Sequence, residues 1–316
     1  MKNRLTKLLY LITINIVWAQ QDAQFSQYMF STQNISSSEV GLSPSLEATL
    51  IHRSQWLGYS PTTGSGKAPT SQYLNINAPV KFLNGGLGAF VINDQLGNTK
   101  NLYAKLSYAY HIKLKESILS LGLSGGFYNL SLNSSYIYND ANDPNINTSN
   151  FQQTKPDLGA GISLKNEKYS IAVGANHINK VDFKNNTTSF VNLSKHFYLL
   201  GLYNFKLNDN LNLKPSILFK TDNNLKNLSF DLNSNLHIKS KYWLGMSYRR
   251  QEALVALLGI SLLKDNSLKL GYAFDYVIKG AKAKNYTSHE VMVSYQLPIY
   301  KSGNKPIIRT PRYRYN

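Results

Sequence analysis

The chain contains no cysteine, which excludes a disulfide framework and any thiolate metal or redox centre. Acidic residues are few: 17 Asp and Glu stand against 34 Lys and Arg, for a formal net charge of +17. That excess favours phosphate-bearing lipid or an acidic partner. The cations are scattered through turns and one tail, and nucleic acid is not an expected partner. Long apolar runs are also missing. Beyond residue 19 nothing approaches the roughly 20 apolar residues of a membrane-spanning helix, so membrane integration has to use strands.

The one apolar run lies at the start. Lys2, Arg4 and Lys7 precede Leu8 to Val17, and Val17-Trp18-Ala19 supplies acceptable cleavage positions. This pattern predicts a secretory signal peptide over 1–19 and a mature chain from Gln20. Taking its three cations from +17 leaves +14 on the remainder.

Chemistry-bearing clusters are sparse as well. His52, His111, His177, His196, His237 and His289 never pair at metal-ligand spacing. Ser288-His289-Glu290 is the nearest approach to a catalytic group, but neighbours on a strand point to opposite faces. Gly85-Gly86-Leu87-Gly88 has no following helix to make a phosphate cradle. Gly122, Gly125 and Gly126 are expected to leave room or allow bending. The expectation is a non-enzymatic protein with no catalytic residue, cofactor or metal site.

From residue 45 onward the chain is dominated by period-two alternation. In 101–114, Leu102, Ala104, Leu106, Tyr108, Tyr110, Ile112 and Leu114 share a face opposite Lys105, Ser107, His111 and Lys113. In 117–129, Leu119, Leu121, Leu123, Gly125 and Phe127 oppose Ser120, Gly122, Ser124 and Gly126. In 267–278, Leu268, Leu270, Tyr272, Phe274 and Tyr276 oppose Lys269, Gly271 and Asp275. Similar segments recur near 45–55, 70–80, 85–93, 157–166, 168–178, 196–206, 211–220, 226–238, 241–250, 252–263 and 287–297. That makes about fourteen strands, each near the length a tilted spanning strand requires. Connectors are expected to alternate strictly. Tight turns fall at Lys115-Glu116, Asn166-Glu167, Asn208-Asp209, Lys239-Ser240 and Lys264-Asp265, and longer connectors at 56–69, 130–156, 179–195 and 279–287.

This grammar predicts an all-β, transmembrane antiparallel β-barrel of about 14 strands, with short periplasmic turns and longer extracellular loops. A mean hydropathy of −0.30 suits an apolar outer face averaged with a polar lumen. Outward aromatics cluster at strand ends: Tyr110, Tyr169, Phe205, Tyr242 and Tyr295 near tight turns, and Phe127, Phe197 and Tyr276 near long connectors. Two such girdles match the two faces of a bilayer. The expected organisation is therefore a signal peptide over 1–19, an N-terminal segment over 20–44, the barrel over 45–297 and a basic tail over 298–316. The N-terminal segment either runs beneath the barrel or folds into it as a plug. The tail carries Lys301, Lys305, Arg309, Arg312 and Arg314 and no acid.

Strand parity places Glu47, Arg53, Gln55, Arg249, Asp275 and Glu290 in the lumen, as a solvated wall or as a network that fixes closure or grips a plug. Antiparallel closure with Gln296 near Ser45, the register being open, brings Glu290 toward Arg53, and Asp22 or Glu39 is the alternative partner if the N-terminal segment enters the lumen. A wet lumen would tolerate arginine at Ser107 better than lipid tolerates it at Leu106.

Asp22-Ala23-Gln24-Phe25-Ser26-Gln27-Tyr28-Met29 resembles the mature N-terminus of the PorP/SprF family. Arg53-Ser54-Gln55-Trp56 with Gly58 is similar to that family's Arg-x-Gln-Trp, and Asn93-Asp94-Gln95-Leu96-Gly97 to its Asn-Asp-x-x-Gly loop. Ser288-His289-Glu290-Val291-Met292, with Ser294-Tyr295, resembles its closing strand, and Pro311-Arg312-Tyr313 a common ending. Ala23 stands where the family usually has proline, and its Asn-Pro-Ala-Tyr-Ala-Gly segment is degraded to Ser37-Ser38-Glu39-Val40-Gly41. The resemblance implies a bacterial outer-membrane component of type IX secretion and gliding motility. Its implied partners are outer-membrane lipid, periplasmic or other secretion components, and a secreted or cell-surface protein, commonly an adhesin whose C-terminal domain engages the barrel. The competing expectation is an outer-membrane channel for diffusion or uptake of small molecules.

Overall fold

The computed structural model describes residues 22–59, 67–133, 150–179, 181–185, 188–223, 228–263, 265–279 and 285–298. The signal peptide expected over 1–19 and the tail beyond Pro298 lie outside these residues. Alternating side chains give strands β1 (Ser45–Ser54), β2 (Thr70–Val80), β3 (Gly85–Leu96), β4 (Thr99–Lys113), β5 (Ile118–Leu132) and β6 (Phe151–Lys165). These are followed by β7 (Tyr169–Asn176), β8 (Val181–Asn185), β9 (Thr188–Leu193), β10 (His196–Tyr203), β11 (Phe205–Lys206) and β12 (Leu211–Asp222). The chain continues with β13 (Ser229–Ile238), β14 (Tyr242–Arg249), β15 (Ala253–Leu262), β16 (Leu268–Val277) and β17 (Thr287–Pro298).

Fourteen of these strands close into an antiparallel barrel. Each pairs with its neighbour in sequence, β7 pairs with β10 and β10 with β12, and β17 returns to β1. The two-residue β11 continues the line of β10 after Asn204, and β8 and β9 form a separate hairpin. Closure removes every free edge and satisfies the backbone inside the wall, which a lipid environment requires.

Both ends of the strand series, Ser45 and Pro298, lie at the end that carries the tight turns. The longer connectors lie at the other end, but strict alternation fails there. Only Gly97 and Asn98 separate β3 from β4, and only 250–252 separate β14 from β15. Gly97 adopts φ 60°, a conformation glycine reaches without a Cβ penalty, so the chain reverses in two residues. The connector expected over 130–156 narrows to 133–150, because β5 and β6 are 15 residues each. Under the expected topology, an epitope tag at Asn208-Asp209 is hidden on intact cells and one within 140–150 is labelled. The reverse pattern would invert the barrel.

Outward residues are exposed along the wall, including Leu74, Leu87, Leu121, Leu158, Leu232 and Leu258. In both girdles Tyr110, Phe205, Tyr242, Tyr295, Phe127, Phe197 and Tyr276 are exposed, while Tyr169 is half-buried. Leu106 is 71% exposed and Ser107 3% exposed. Leu106→Arg is therefore expected to cost about 2–4 kcal/mol near the midplane, measured by urea unfolding in lipid vesicles. An unchanged unfolding midpoint would place that face against protein rather than lipid. The wet-lumen tolerance expected at Ser107 does not apply, because this position is packed. An arginine there would overpack a buried position.

The lumen holds the chain's own residues 22–41. Starting at Asp22, the segment passes through short helical turns at Tyr28–Phe30, Thr32–Ile35 and Ser37–Glu39 before β1. Its contacts run round the inner wall. Tyr28 Oη meets Ser216 Oγ on β12 at 2.8 Å. Asn75 on β2 donates to Gln33 at 3.3 Å, and Asn176 on β7 donates to the Asn34 carbonyl at 2.9 Å. Ser36 donates to the Val173 carbonyl on β7 at 3.0 Å, and Ser120 on β5 to the Ser38 carbonyl at 2.7 Å. Two inward glycines allow this close approach. A Cβ at Gly122 would overlap the backbone of Ser37 and Ser38, and one at Gly174 would overlap Ile35. Gly122 thus leaves room, as expected, whereas Gly126 abuts the Ala104 carbonyl within the wall and Gly125 meets only Leu158.

At the long-connector end the β8–β9 hairpin folds over the lumen. Val181, Phe183 and Leu193 are buried in one apolar cluster with Phe25, Tyr73, Phe90, Tyr103 and Tyr128.

Candidate functional site

Two ionic assemblies hold the luminal segment near its Asp22 end. The first follows from strand order and parity. Inward positions of β13, β14, β16, β17 and β1 supply Asp231, Arg249, Asp275, Glu290 and Arg53, all at most 2% exposed. The β1–β17 seam sets Gln296 opposite Glu47, two residues along from Ser45, and this register puts Arg53 directly opposite Glu290. Arg53 reaches Glu290 at 3.3 Å and Asp275 at 2.8 Å. Arg249 reaches Asp231 at 3.1 Å, Asp275 at 3.5 Å and Glu252 at 3.4 Å.

Ser26 joins the two guanidinium groups. Its Oγ accepts from Arg53 Nη1 at 2.6 Å and Arg249 Nη2 at 3.1 Å, and lies 2.8 Å from Asp275 Oδ2 as donor. One donor and two acceptor sites are all a hydroxyl offers. The backbone N–H groups of Ser26 and Gln27 donate to the two oxygens of Glu290, each at 2.8 Å. Gln24 Nε2 donates to Asp231 Oδ2 at 3.0 Å. Charged partners make these bonds stronger than neutral ones, and together they bind the segment to five strands.

The second assembly centres on Asp22. Tyr198 Oη donates to Asp22 Oδ2 at 2.7 Å, and His177 Nε2 stands 2.9 Å from Oδ1. His196 Nδ1 lies 3.6 Å from Oδ2. On the other side of its ring, His177 Nδ1 is 3.0 Å from Asp157 Oδ2, an ion-pair distance without hydrogen-bond alignment. Asp157 is also 3.0 Å from Lys105 Nζ. His177 lies in the connector just beyond β7. Burial alone would lower its basicity, but Asp22 and then Asp157 outweigh that and raise the imidazole to about 9.

The remaining residues singled out in the sequence are distributed elsewhere. Glu47 lies toward the tight-turn end and accepts from Gln296 at 2.5 Å, apart from the ionic assemblies. Gln55 is buried just beyond β1, with its backbone N–H on the Pro69 carbonyl. Trp56 adopts φ 51°, donates its N–H to Ser288 Oγ at 3.1 Å and packs edge-on to Tyr59. Phe25 packs on Tyr73, and Gln27 is fully buried. His289 faces outward onto the Tyr272 hydroxyl at 2.6 Å, so it and Ser288 lie on opposite faces. Sequence reasoning missed Asp231, whose inward parity on β13 was legible. It also missed the meeting of His177 and His196, for which sequence spacing carries no signal.

A closed barrel packed with its own N-terminal segment, and bearing the motifs described above, can be compared with known proteins. The family model of the type IX secretion system membrane protein PorP/SprF matches residues 17–295. The chain belongs to the PorP/SprF family. As a PorP/SprF protein it is a type IX secretion membrane protein and an outer-membrane β-barrel.

Solved structures similar to this PorP/SprF barrel are themselves outer-membrane barrels. Omp33 of Acinetobacter baumannii is 6% identical over 80% of this chain and 99% of that one, with a TM-score of 0.45. The P. putida toluene transporter TodX is 8% identical over 81% and 90%, with a TM-score of 0.48. A TodX deletion mutant, a monoaromatic hydrocarbon channel, is 9% identical over 85% and 94%, with a TM-score of 0.49. No curated protein matches this PorP/SprF chain in sequence.

Proposed function

We propose that this PorP/SprF protein is a non-enzymatic barrel that supports export or surface anchoring of a partner protein, adhesin-like in kind, as part of type IX secretion and gliding motility. The observation that carries this reading is the occupied lumen. Residues 22–41 lie against the inner wall, and Arg53, Arg249, Asp231, Asp275 and Glu290 grip Gln24, Ser26 and Gln27. A diffusion or uptake channel needs a continuous wet path, whereas a lumen filled by the chain itself leaves the outer rim and connectors as the working surface. The N-terminal segment acts as a plug, and the inward charges act as its grip. In this reading the chain reaches the outer membrane by a cleaved signal peptide, and the basic residues beyond Pro298 face the periplasmic components of the secretion system.

The test is affinity purification of the full-length protein from its native membrane, with co-eluting proteins identified, alongside single-channel recording of the same sample. Recovery of a large secreted protein in fixed ratio, with no steady conductance, is the expected result. A conducting barrel that elutes alone would replace this reading with the small-molecule channel.

A further inference from the structure

We propose that Asp22, His177 and His196 bind a divalent transition-metal ion of the zinc class, which ties the luminal segment to both stems of the connector over 177–195. The sequence expectation of no metal site rested on spacing along the chain, whereas these three residues come together only in the fold. One ligand atom from each residue lies within 4.8 Å of the other two. The Nε2 of His177 and the Nδ1 of His196 stand 2.9 Å and 3.6 Å from the Asp22 carboxylate. Around zinc, bonds of about 2.0–2.1 Å put neighbouring tetrahedral ligands roughly 3.3 Å apart. The 2.9 Å to Oδ1 and the 3.6 Å to Oδ2 lie on either side of that edge, so modest side-chain rotation suffices to close the three ligands on one ion.

Two further observations point to a ligand. His196 Nδ1 is buried and has no hydrogen-bond partner among the described residues, although a buried ring nitrogen ordinarily has one. It faces Asp22, where a metal would satisfy it. His177, in turn, has Asp157 Oδ2 at 3.0 Å from its other nitrogen. This is the place of the carboxylate that orients a metal-bound imidazole in many zinc sites. The Lys105 ammonium, 3.0 Å from Asp157, offsets that second carboxylate.

Binding replaces the proton on His177 Nε2 with the metal, and the proton leaves to solvent. Lys220 donates to the backbone carbonyl of Asp22 at 3.4 Å rather than to its carboxylate, and the Tyr198 hydroxyl that donates to Oδ2 at 2.7 Å still leaves each carboxylate oxygen a lone pair for a metal. Imidazole nitrogen with carboxylate oxygen suits zinc, copper or nickel rather than calcium or magnesium. Three protein ligands leave a fourth position for water.

The location makes such an ion structural in effect. His177 directly follows β7 and His196 opens β10, so both flank the β8–β9 hairpin that covers the lumen. Asp22 is where the described part of the luminal segment begins. One ion would hold the hairpin and the segment together.

The test uses the full chain without a histidine tag, folded into detergent with Zn2+ present because the site lies beneath the hairpin. After free metal is washed away, zinc is counted by mass spectrometry, and Co2+ is substituted in a parallel sample. The expected results are one zinc per chain and a cobalt absorption spectrum typical of nitrogen–oxygen ligation. Asp22→Asn and His196→Gln should each abolish both signals, and Asp157→Asn should weaken binding by about 10–100-fold. His52→Gln, at an exposed position, should leave both unchanged. Heat-dependent gel mobility reports whether each variant has folded. If a ligand variant does not fold, the unaltered protein decides alone, by its zinc content and cobalt spectrum. Folded unaltered protein without stoichiometric zinc or a cobalt spectrum would overturn the proposal. So would full zinc retention in folded Asp22→Asn and His196→Gln.

Discussion

Arg53→Ala is expected to destabilise the barrel by about 3–5 kcal/mol, the cost of breaking a buried ion pair by removing one partner. Arg53 is 2% exposed and faces Asp275 and Glu290, themselves at 1% and 0%. Removing it leaves Asp275 to Arg249 and the Ser26 hydroxyl, and Glu290 to the N–H groups of Ser26 and Gln27, with no cation across the β1–β17 seam. Arg53→Lys should recover only part of the loss, because an ammonium cannot address Ser26, Asp275 and Glu290 from one planar fork. The exposed Lys206–Asp209 pair, 2.8 Å apart with side chains 67% and 92% exposed, is the control. Breaking it should cost no more than about 1 kcal/mol. Urea unfolding in lipid vesicles, followed by tryptophan fluorescence, measures all three. A small effect for Arg53→Ala would mean that water enters the assembly and screens it.

Deleting residues 22–36 should convert a non-conducting barrel into one with discrete conductance steps in a planar bilayer. This removes the residues that meet Asp231, Asp275, Glu290, Ser216 and Asn75 across the lumen. The wall would survive, since its strands are joined by their own backbone ladders. Gly122→Val tests the same occupancy with one side chain. Its Cβ would collide with the backbone of Ser37 and Ser38. Overpacking of this kind costs typically about 1–3 kcal/mol, and it should loosen the segment enough to give intermittent current. If both variants remain silent, the β8–β9 hairpin closes the lumen by itself.

The β-barrel was legible in the sequence because its cause is local. Side chains on a strand alternate with period two, so Leu106 and Ser107 declare opposite faces without reference to any other strand. The same rule put Arg53, Arg249, Asp275 and Glu290 on the inner wall. Connector lengths were less legible: 97–98 reverses in two residues at the long-connector end, because Gly97 permits a turn that no hydrophobic pattern announces. The seam register stayed open in the sequence, since periodicity sets the face of a strand but not its offset along a partner, here with Arg53 and Glu290 237 residues apart.

The sequence by itself therefore indicated about fourteen strands, the faces, the outward apolar surface and, through the motifs at Asp22–Met29 and Ser288–Met292, the family. Only the tertiary structure decided what fills the lumen and which charges meet. Asp22, His177 and His196 are far apart in sequence, and Ser26 reaches Arg53 and Arg249 only when closure brings β1, β14, β16 and β17 to one side of the barrel. Parity is a property of a single strand, whereas these contacts depend on closure, stagger and the path of a segment with no strand period of its own.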